Sequence, residues 1–194
     1  MTTADTQLGA LDDGALMVLF ANGDPQAARL LSERLLPRAY RHAVRVLGHA
    51  SDAEDVAQEA MLRLWRAAAD WRTDGTAKPS TWLHKVVANL CVDRLRRSGR
   101  SVELGDDDFA DDSPSADARL QDQRRMVALD AALAELPERQ RQAVVLRHIE
   151  GLSNPEIAAV LEIGVEAVES LTARGKRALK AALEGKKEAL GYDG

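Results

Sequence analysis

Apolar residues recur at three- and four-residue steps along most of this chain, and no stretch alternates as a strand would. The spacing predicts a short helix from Asp12 to about Ala21, stopped by Asn22-Gly23, and a longer one from Asp24-Pro25 to Leu47. Pro37 lies inside the longer helix, where a kink or a break is expected, and Gly48 ends it. Ser51 and Glu54 have capping-box spacing, so SDAEDVAQEAMLRLWRAA is expected to be helical, with Val56, Ala60 and Leu64 as its core stripe. Residues 70–80 (DWRTDGTAKPS) read as a turn-rich loop carrying Trp71. Ser80 or Thr81 is expected to cap TWLHKVVANLCVDRLRRSGR, which buries Trp82, Leu83, Val86, Val87, Leu90 and Leu95. Periodicity is lost between Ser101 and Ala118, returns from near Asp117 to Glu135, and continues from Pro137 through His148. Residues 1–10 carry no periodic signal and are expected to be disordered.

The stretch from Ser153 to Leu183 holds the most specific local pattern. Ser153, Pro155 and Glu156 form a helix start: a cap, a proline at the first helical position and a capping-box glutamate. Ile157, Ala158 and Leu161 face inward, the chain breaks at Gly164, and a second helix buries Val168, Leu171, Leu179 and Leu183. That helix turns outward Glu166, Glu169, Ser170, Ala173, Arg174 and Arg177, short and polar first and basic further on. Such a face suits base edges and then phosphates, so the pair reads as a DNA-binding helix-turn-helix. An ordinary helical hairpin with a solvated charged face remains open from these residues alone. Gly175, in mid-helix, should cost about 1 kcal/mol against alanine.

Two other faces carry more than solvation requires. In the 52–65 helix, Asp55, Gln58, Glu59, Leu62 and Trp65 place large apolar groups beside carboxylates, which suits a protein-binding face or packing on a neighbouring helix. In the next helix, Lys85, Asn89, Asp93, Arg96 and Arg97 share a polar side. With a loop-borne aromatic nearby, this is the equipment of single-strand binding: charge for the backbone and flat groups for bases.

Composition narrows the class. At 194 residues, 45% apolar and 29% charged, with few aromatics, the chain is a globular all-α protein of one or two small domains. No apolar run approaches the ~20 residues that cross a bilayer and the N-terminus lacks a signal core, so no membrane insertion and a cytoplasmic location are expected. The single Cys91 excludes an internal disulfide and fits a structural thiol in a reducing compartment. A net charge of −5 is unusual for a nucleic-acid binder, but it is unevenly spread. Glu103, Asp106, Asp107, Asp108, Asp111, Asp112 and Asp117 sit in a stretch without a basic residue. Lys85, Arg94, Arg96, Arg97 and Arg100 precede it, and Arg174, Lys176, Arg177 and Lys180 occupy the last helix. Two basic modules on a flexible, self-repelling acidic linker reconcile an acidic total with a polyanionic partner. About eighteen linker residues could span up to ~60 Å when extended.

Catalytic chemistry is missing from the pattern. His42 and His49, like His84 and Cys91, are seven apart, but two ligands on a face do not close a metal site, and no CxxC or HExxH is present. With no phosphate-cradling glycine loop and no nucleophile elbow, neither a cofactor nor an enzymatic activity is expected.

Taken in order, DAEDVAQEAMLRLW (52–65), TWLHKVVANLCVDRLRR (81–97) and LPERQRQAVVLRHIEGLSNPEIAAVLEIGVEAVESLTARGKRAL (136–179) resemble the extracytoplasmic-function sigma factors of the main bacterial sigma family. The resemblance implies two helical domains, 1–100 and 119–194, joined by the linker 101–118. It implies that Asp55, Gln58, Glu59, Leu62 and Trp65 dock on the clamp coiled coil of core RNA polymerase, with a further contact at its flap region. It implies that the loop to Lys78 and Ser80, with Trp82, Lys85, Asn89, Arg94, Arg96 and Arg97, engages the −10 promoter element and holds a flipped base. Glu166, Ala167, Glu169, Ser170, Ala173, Arg174 and Arg177 would read the −35 element, and an anti-sigma factor would sequester the protein. The chain departs from the family at Glu162, where a glycine is more usual, at Glu169, where a base is frequent, and at Ala173. A sigma-mimicking protein that titrates an anti-sigma factor without touching promoters, and a free-standing repressor, are the rival readings.

Overall fold

The computed structural model describes residues 8–71, 78–98 and 116–184. Among them every regular element is helical: α1 (Asp13–Ala21), α2 (Pro25–Leu47), α3 (Ala50–Ala67), α4 (Pro79–Ser98), α5 (Ala116–Ala134), α6 (Glu138–Val144), α7 (Asn154–Leu161) and α8 (Val165–Glu184). A 3₁₀ turn, Ala68–Asp70, follows α3, and α6 runs on as a π turn, Val145–Ile149. No helix among the described residues is long and apolar enough to cross a membrane. The first seven residues, the loop 72–77, the acidic stretch up to residue 115 and the tail after Glu184 lie outside the described residues. So do Arg100 and nearly all of the expected linker, whose last three residues open α5.

Local chemistry accounts for several helix ends. The Asp12 carboxylate accepts the Ala15 N–H at 2.7 Å, and Asp24 accepts from Gln26 and Ala27 at 2.8 and 3.3 Å. Each satisfies amides that a first turn leaves unpaired. Gly48, at φ 75°, takes the left-handed position that ends α2 and donates to Val44 O. In α7, Glu156 accepts from the Ser153 N–H at 2.9 Å and its hydroxyl at 2.7 Å, the expected capping box, with Pro155 one place further in than anticipated. These bonds hold the Glu156 carboxyl below the usual range.

Other expectations fail locally. Ser51 and Glu54 form no capping box: α3 starts at Ala50 behind His49, which makes no side-chain cap. Neither Ser80 nor Thr81 caps α4, because Pro79 occupies its first position, where a proline loses no needed donor. Pro37 does not break α2. The ring lies on the exposed side, while Leu31, Leu35, Ala39, Ala43 and Val46 are fully buried on either side of it and keep the helix continuous. Between α7 and α8 the chain does turn before Gly164, and Glu162, where the family more often has glycine, takes the left-handed position at φ 54°.

Two cores result. Helices α1–α4 close over Leu16, Met17, Leu31, Leu35, Leu64, Leu83 and Val87, with the Cys91 thiol buried among them and its pKa pushed up by that burial. Helices α5–α8 close over Leu133, Leu136, Val144 and Val145 on one side, and Leu146, Ile157, Val160 and Val168 on the other. The halves are packed together, for Ala88 of α4 lies in the second of those clusters. The Arg141 guanidinium of α6 donates to Val46 O at the end of α2 (2.6 Å) and to the carbonyls of Ala134 and Leu136. Arg45 of α2 pairs with Asp130 of α5 at 2.9 Å.

Candidate nucleic-acid interface

The outward face of α8 is laid out as its spacing predicts. Glu166, Ala167, Glu169, Ser170, Ala173, Arg174 and Arg177 are all exposed, while Val168 is fully buried. Val168 and the half-buried Leu171, Leu179 and Leu183 set that rotation. Gly175, read from sequence as a weak point, is a packing requirement: a Cβ there would lie 2.6 Å from Val144 Cγ2 and 3.1 Å from Gln140 O. This close approach holds α8 against α6. The Arg174 Nε donates to Ser170 O at 3.3 Å, one turn back, and the head stays exposed. Near this face, burial, Lys176 and Arg147 lower the pKa of His148, so the imidazole sits neutral beside fixed positive charge.

On α4 the candidate residues part company. Asn89, Arg96 and Arg97 are exposed. Arg94 spans to α3, its Nε 3.1 Å from Asp52 Oδ1 and its Nη2 3.1 Å from Asp55 Oδ2, and these carboxylates raise its pKa. It braces α4 on α3 and cannot be counted as a free phosphate ligand. Trp82 is half-buried, edge-on to Trp71 with ring centroids 6.4 Å apart at 85°. The two indoles meet edge to face from either side of residues 72–77 in the chain. Ser80 is half-buried beside them in the chain, and Lys78 and Lys85 point toward the other half.

On α3, Asp55, Gln58 and Leu62 are exposed, Leu62 at 49%, and Glu59 pairs with Arg63 one turn on. Trp65 differs from the rest. Its ring packs on Phe20 at 4.6 Å between centroids, so it joins the α1–α3 core and offers only part of its surface. Sequence reasoning missed an adjoining groove of about 320 Å³, lined by Leu36, Pro37 and Tyr40 of α2 and Glu54, Ala57 and Gln58 of α3. The signal for it was an apolar pair, Leu36-Pro37, on the outward side of α2.

Where the halves meet, the structure pairs groups that no spacing connects. His42 and His84, whose spacings to His49 and Cys91 closed no site, face each other with Nδ1 atoms 3.2 Å apart. Burial and His84 lower the pKa of His42. Burial pushes His84 down to about 4, against Glu150 and Glu156, which raise it, and with Arg38 and Arg41, which lower it. Both rings are therefore neutral at pH 7. Glu150 Oε2 lies 3.8 Å from His84 Nε2, and Arg41 donates to the same carboxylate at 3.1 and 3.2 Å. These residues border a polar cleft of about 370 Å³. No group of three or more His, Cys, Asp or Glu among the described residues is arranged to hold a metal.

The two halves each match a known family. Sigma-70 region 2 matches residues 31–101 and Sigma-70 region 4 matches residues 126–179. The ECF RNA polymerase sigma factor SigM of Mycobacterium tuberculosis is 34% identical over 167 residues, covering 86% of this chain and 82% of that protein. The chain belongs to the extracytoplasmic-function sigma factors. SigE of Mycolicibacterium smegmatis is 39% identical to this sigma factor over 148 residues, 74% of the chain but just 56% of SigE. Among solved structures, CnrH in complex with the cytosolic domain of CnrY superposes with a TM-score of 0.65 at 29% identity, covering 89% of this sigma factor and 97% of that chain. RpoE bound to the anti-sigma factor NepR from Bartonella quintana shares the fold, with a TM-score of 0.65 at 20% identity over 80% of this chain and 96% of that one. The outward-facing residues singled out on α3, α4 and α8 of the sigma factor, up to Arg177, fall within the two matched regions.

Proposed function

We propose that this sigma factor is a promoter-specificity subunit: it binds core RNA polymerase and directs initiation by engaging a −10 and a −35 element. The observation that carries this reading is the order of the two matched regions, each with an outward face suited to its task. The 1–100 domain would hold the polymerase clamp through Asp55, Gln58, Glu59 and Leu62, with the Leu36–Tyr40 groove extending that surface. Trp65 contributes there chiefly by fixing α3 on Phe20. The same domain would take the −10 strand along Lys78, Ser80, Trp82, Lys85, Asn89, Arg96 and Arg97, with charge for phosphates and an indole beside a flipped base. The 101–118 segment joins it to the 119–194 domain, which would place α8 in the major groove at −35 and reach the polymerase flap. There Ser170 and Arg174 can donate to base edges, Glu169 can accept from a cytosine amino group, and Arg177 meets phosphate.

An anti-sigma factor is the proposed regulator, because CnrH and the Bartonella RpoE are both seen with partner proteins. As a subunit of core polymerase the chain would act in the cytoplasm, through binding rather than catalysis. Run-off transcription with purified core polymerase on genomic fragments tests the reading. Discrete transcripts dependent on the chain are expected. Anti-sigma binding without transcripts would replace the reading with that of a titrating mimic, and operator binding without polymerase with that of a repressor.

A further inference from the structure

We infer that Arg94 is a positioning residue that couples polymerase docking on α3 to the −10 face of α4. This rests on the proposed roles of those two faces and supplies the link between them. The guanidinium stands between two carboxylates at the start of α3: its Nε is 3.1 Å from Asp52 Oδ1, and its Nη2 is 3.1 Å from Asp55 Oδ2. The two anchors differ in setting. The Asp52 side chain is 23% exposed and that of Asp55 is 64% exposed. The inner anchor belongs to the seam between α3 and α4, and the outer one to the docking face.

Arg94 lies where α4 runs short of other holds. Cys91 is fully buried, but beyond it Val92 and Leu95 are half-buried and Asp93, Arg96 and Arg97 are exposed. The last turn carries Arg96 and Arg97, the cations assigned to the −10 strand. A helix end with so little buried surface frays unless a side-chain tie holds it. Asp55 can serve two partners at once. Its Oδ2 takes the Arg94 bond, and a carboxylate has about four lone-pair sites, so Oδ1 is left for a cation of the polymerase. Docking would also exclude water from the exposed end of the pair, and a charge pair strengthens as the surrounding dielectric falls. Whatever orders Asp55 for the polymerase thereby firms the end of α4, and by linkage an ordered α4 favours docking.

The variants Arg94→Gln and Asp52→Asn separate a tie from a phosphate ligand. Amide hydrogen exchange over residues 92–97 is followed in the full chain, free and bound to core polymerase. In the wild type, binding should slow exchange there about fivefold, the lower end for coupled sites. Both variants should lose that slowing, and both should bind core polymerase about fivefold more weakly. Combining them should cost no more than either alone, because each breaks the same tie. Thermal stability should move little, the pair being partly exposed. The salt dependence of holoenzyme binding to a promoter fragment should keep its slope in Arg94→Gln, since no phosphate contact is lost. A slope smaller by about 1 in Arg94→Gln, with Asp52→Asn as active as wild type, would make Arg94 a phosphate ligand and overturn the coupling. Exchange at 92–97 that ignores docking in the wild type, or slows equally in both variants, would overturn it too. A wild-type chain that bound no core polymerase would end the promoter reading and the coupling together, whereas failure of the coupling alone leaves wild-type docking and transcripts in place.

Discussion

Replacing Gly175 by alanine sets helix propensity against packing, and the structure decides the sign. In an isolated helix the change gains about 1 kcal/mol. Here the new Cβ would sit 2.6 Å from Val144 Cγ2, 3.1 Å from Gln140 O and 3.4 Å from Gln140 Cβ. Carbon atoms rest at about 3.5–4.0 Å, so α8 and α6 must separate by roughly 1 Å. Val144 cannot simply swing aside, because it is β-branched and 1% exposed, and the Gln140 oxygen is main chain in α6. Overpacking of this kind costs about 1–3 kcal/mol, which leaves a net loss near 1 kcal/mol and a Tm lower by about 2–4 °C for a chain of this size. Urea denaturation followed by circular dichroism should show a lower midpoint with unchanged slope. Val144→Ala in the same chain should recover part of the loss, giving a favourable coupling of about 1 kcal/mol. A Gly175→Ala variant more stable than wild type, as propensity alone dictates, would refute the contact. Because the same approach seats the reading helix, the variant should also lose −35-dependent initiation more than it loses stability.

Arg141→Ala should cost about 2–4 kcal/mol, since the carbonyls of Val46, Ala134 and Leu136 all lose a charged donor; a midpoint within 1 kcal/mol of wild type would show these bonds to be idle. Acid should loosen the fold well above carboxylate pH. His42 and His84 are held below their ordinary value, His84 at about 4, so the unfolded chain takes up protons first and stability falls as pH drops from about 6.5 toward 4. A Tm constant between pH 7 and 5 would contradict this, and His42→Gln with His84→Gln should flatten the slope. Leu62→Ala should weaken polymerase co-elution at unchanged stability, since the side chain is 49% exposed; it replaces any test through Trp65, whose loss would disturb Phe20. Arg174→Ala should abolish −35-dependent transcripts while co-elution persists.

The reading of α7 and α8 from sequence held because the information there is local. A capping box joins residues three apart, and a buried stripe repeats every three or four, so Ser153, Glu156, Val168 and Leu171 declare their own geometry. The same local logic misplaced the starts of α3 and α4, where Ser51, Ser80 and Thr81 were good caps in composition but the helices began earlier, at Ala50 and Pro79. Local logic also could not show that Arg94 pairs with Asp52 or that Trp65 packs on Phe20, because these neighbours lie far off in the chain.

The sequence by itself determined the helices, the two modules and the outward face of α8, since periodicity and charge order need no partner to be expressed. Only the tertiary structure decided what those faces meet. Arg41 finds Glu150 across 109 residues, and Arg141 finds Val46 across 95, through contacts that depend on how two cores pack and leave no mark in spacing. Gly175 shows the division most plainly: by propensity it is a defect, and by packing it is where two helices come close enough to hold one another.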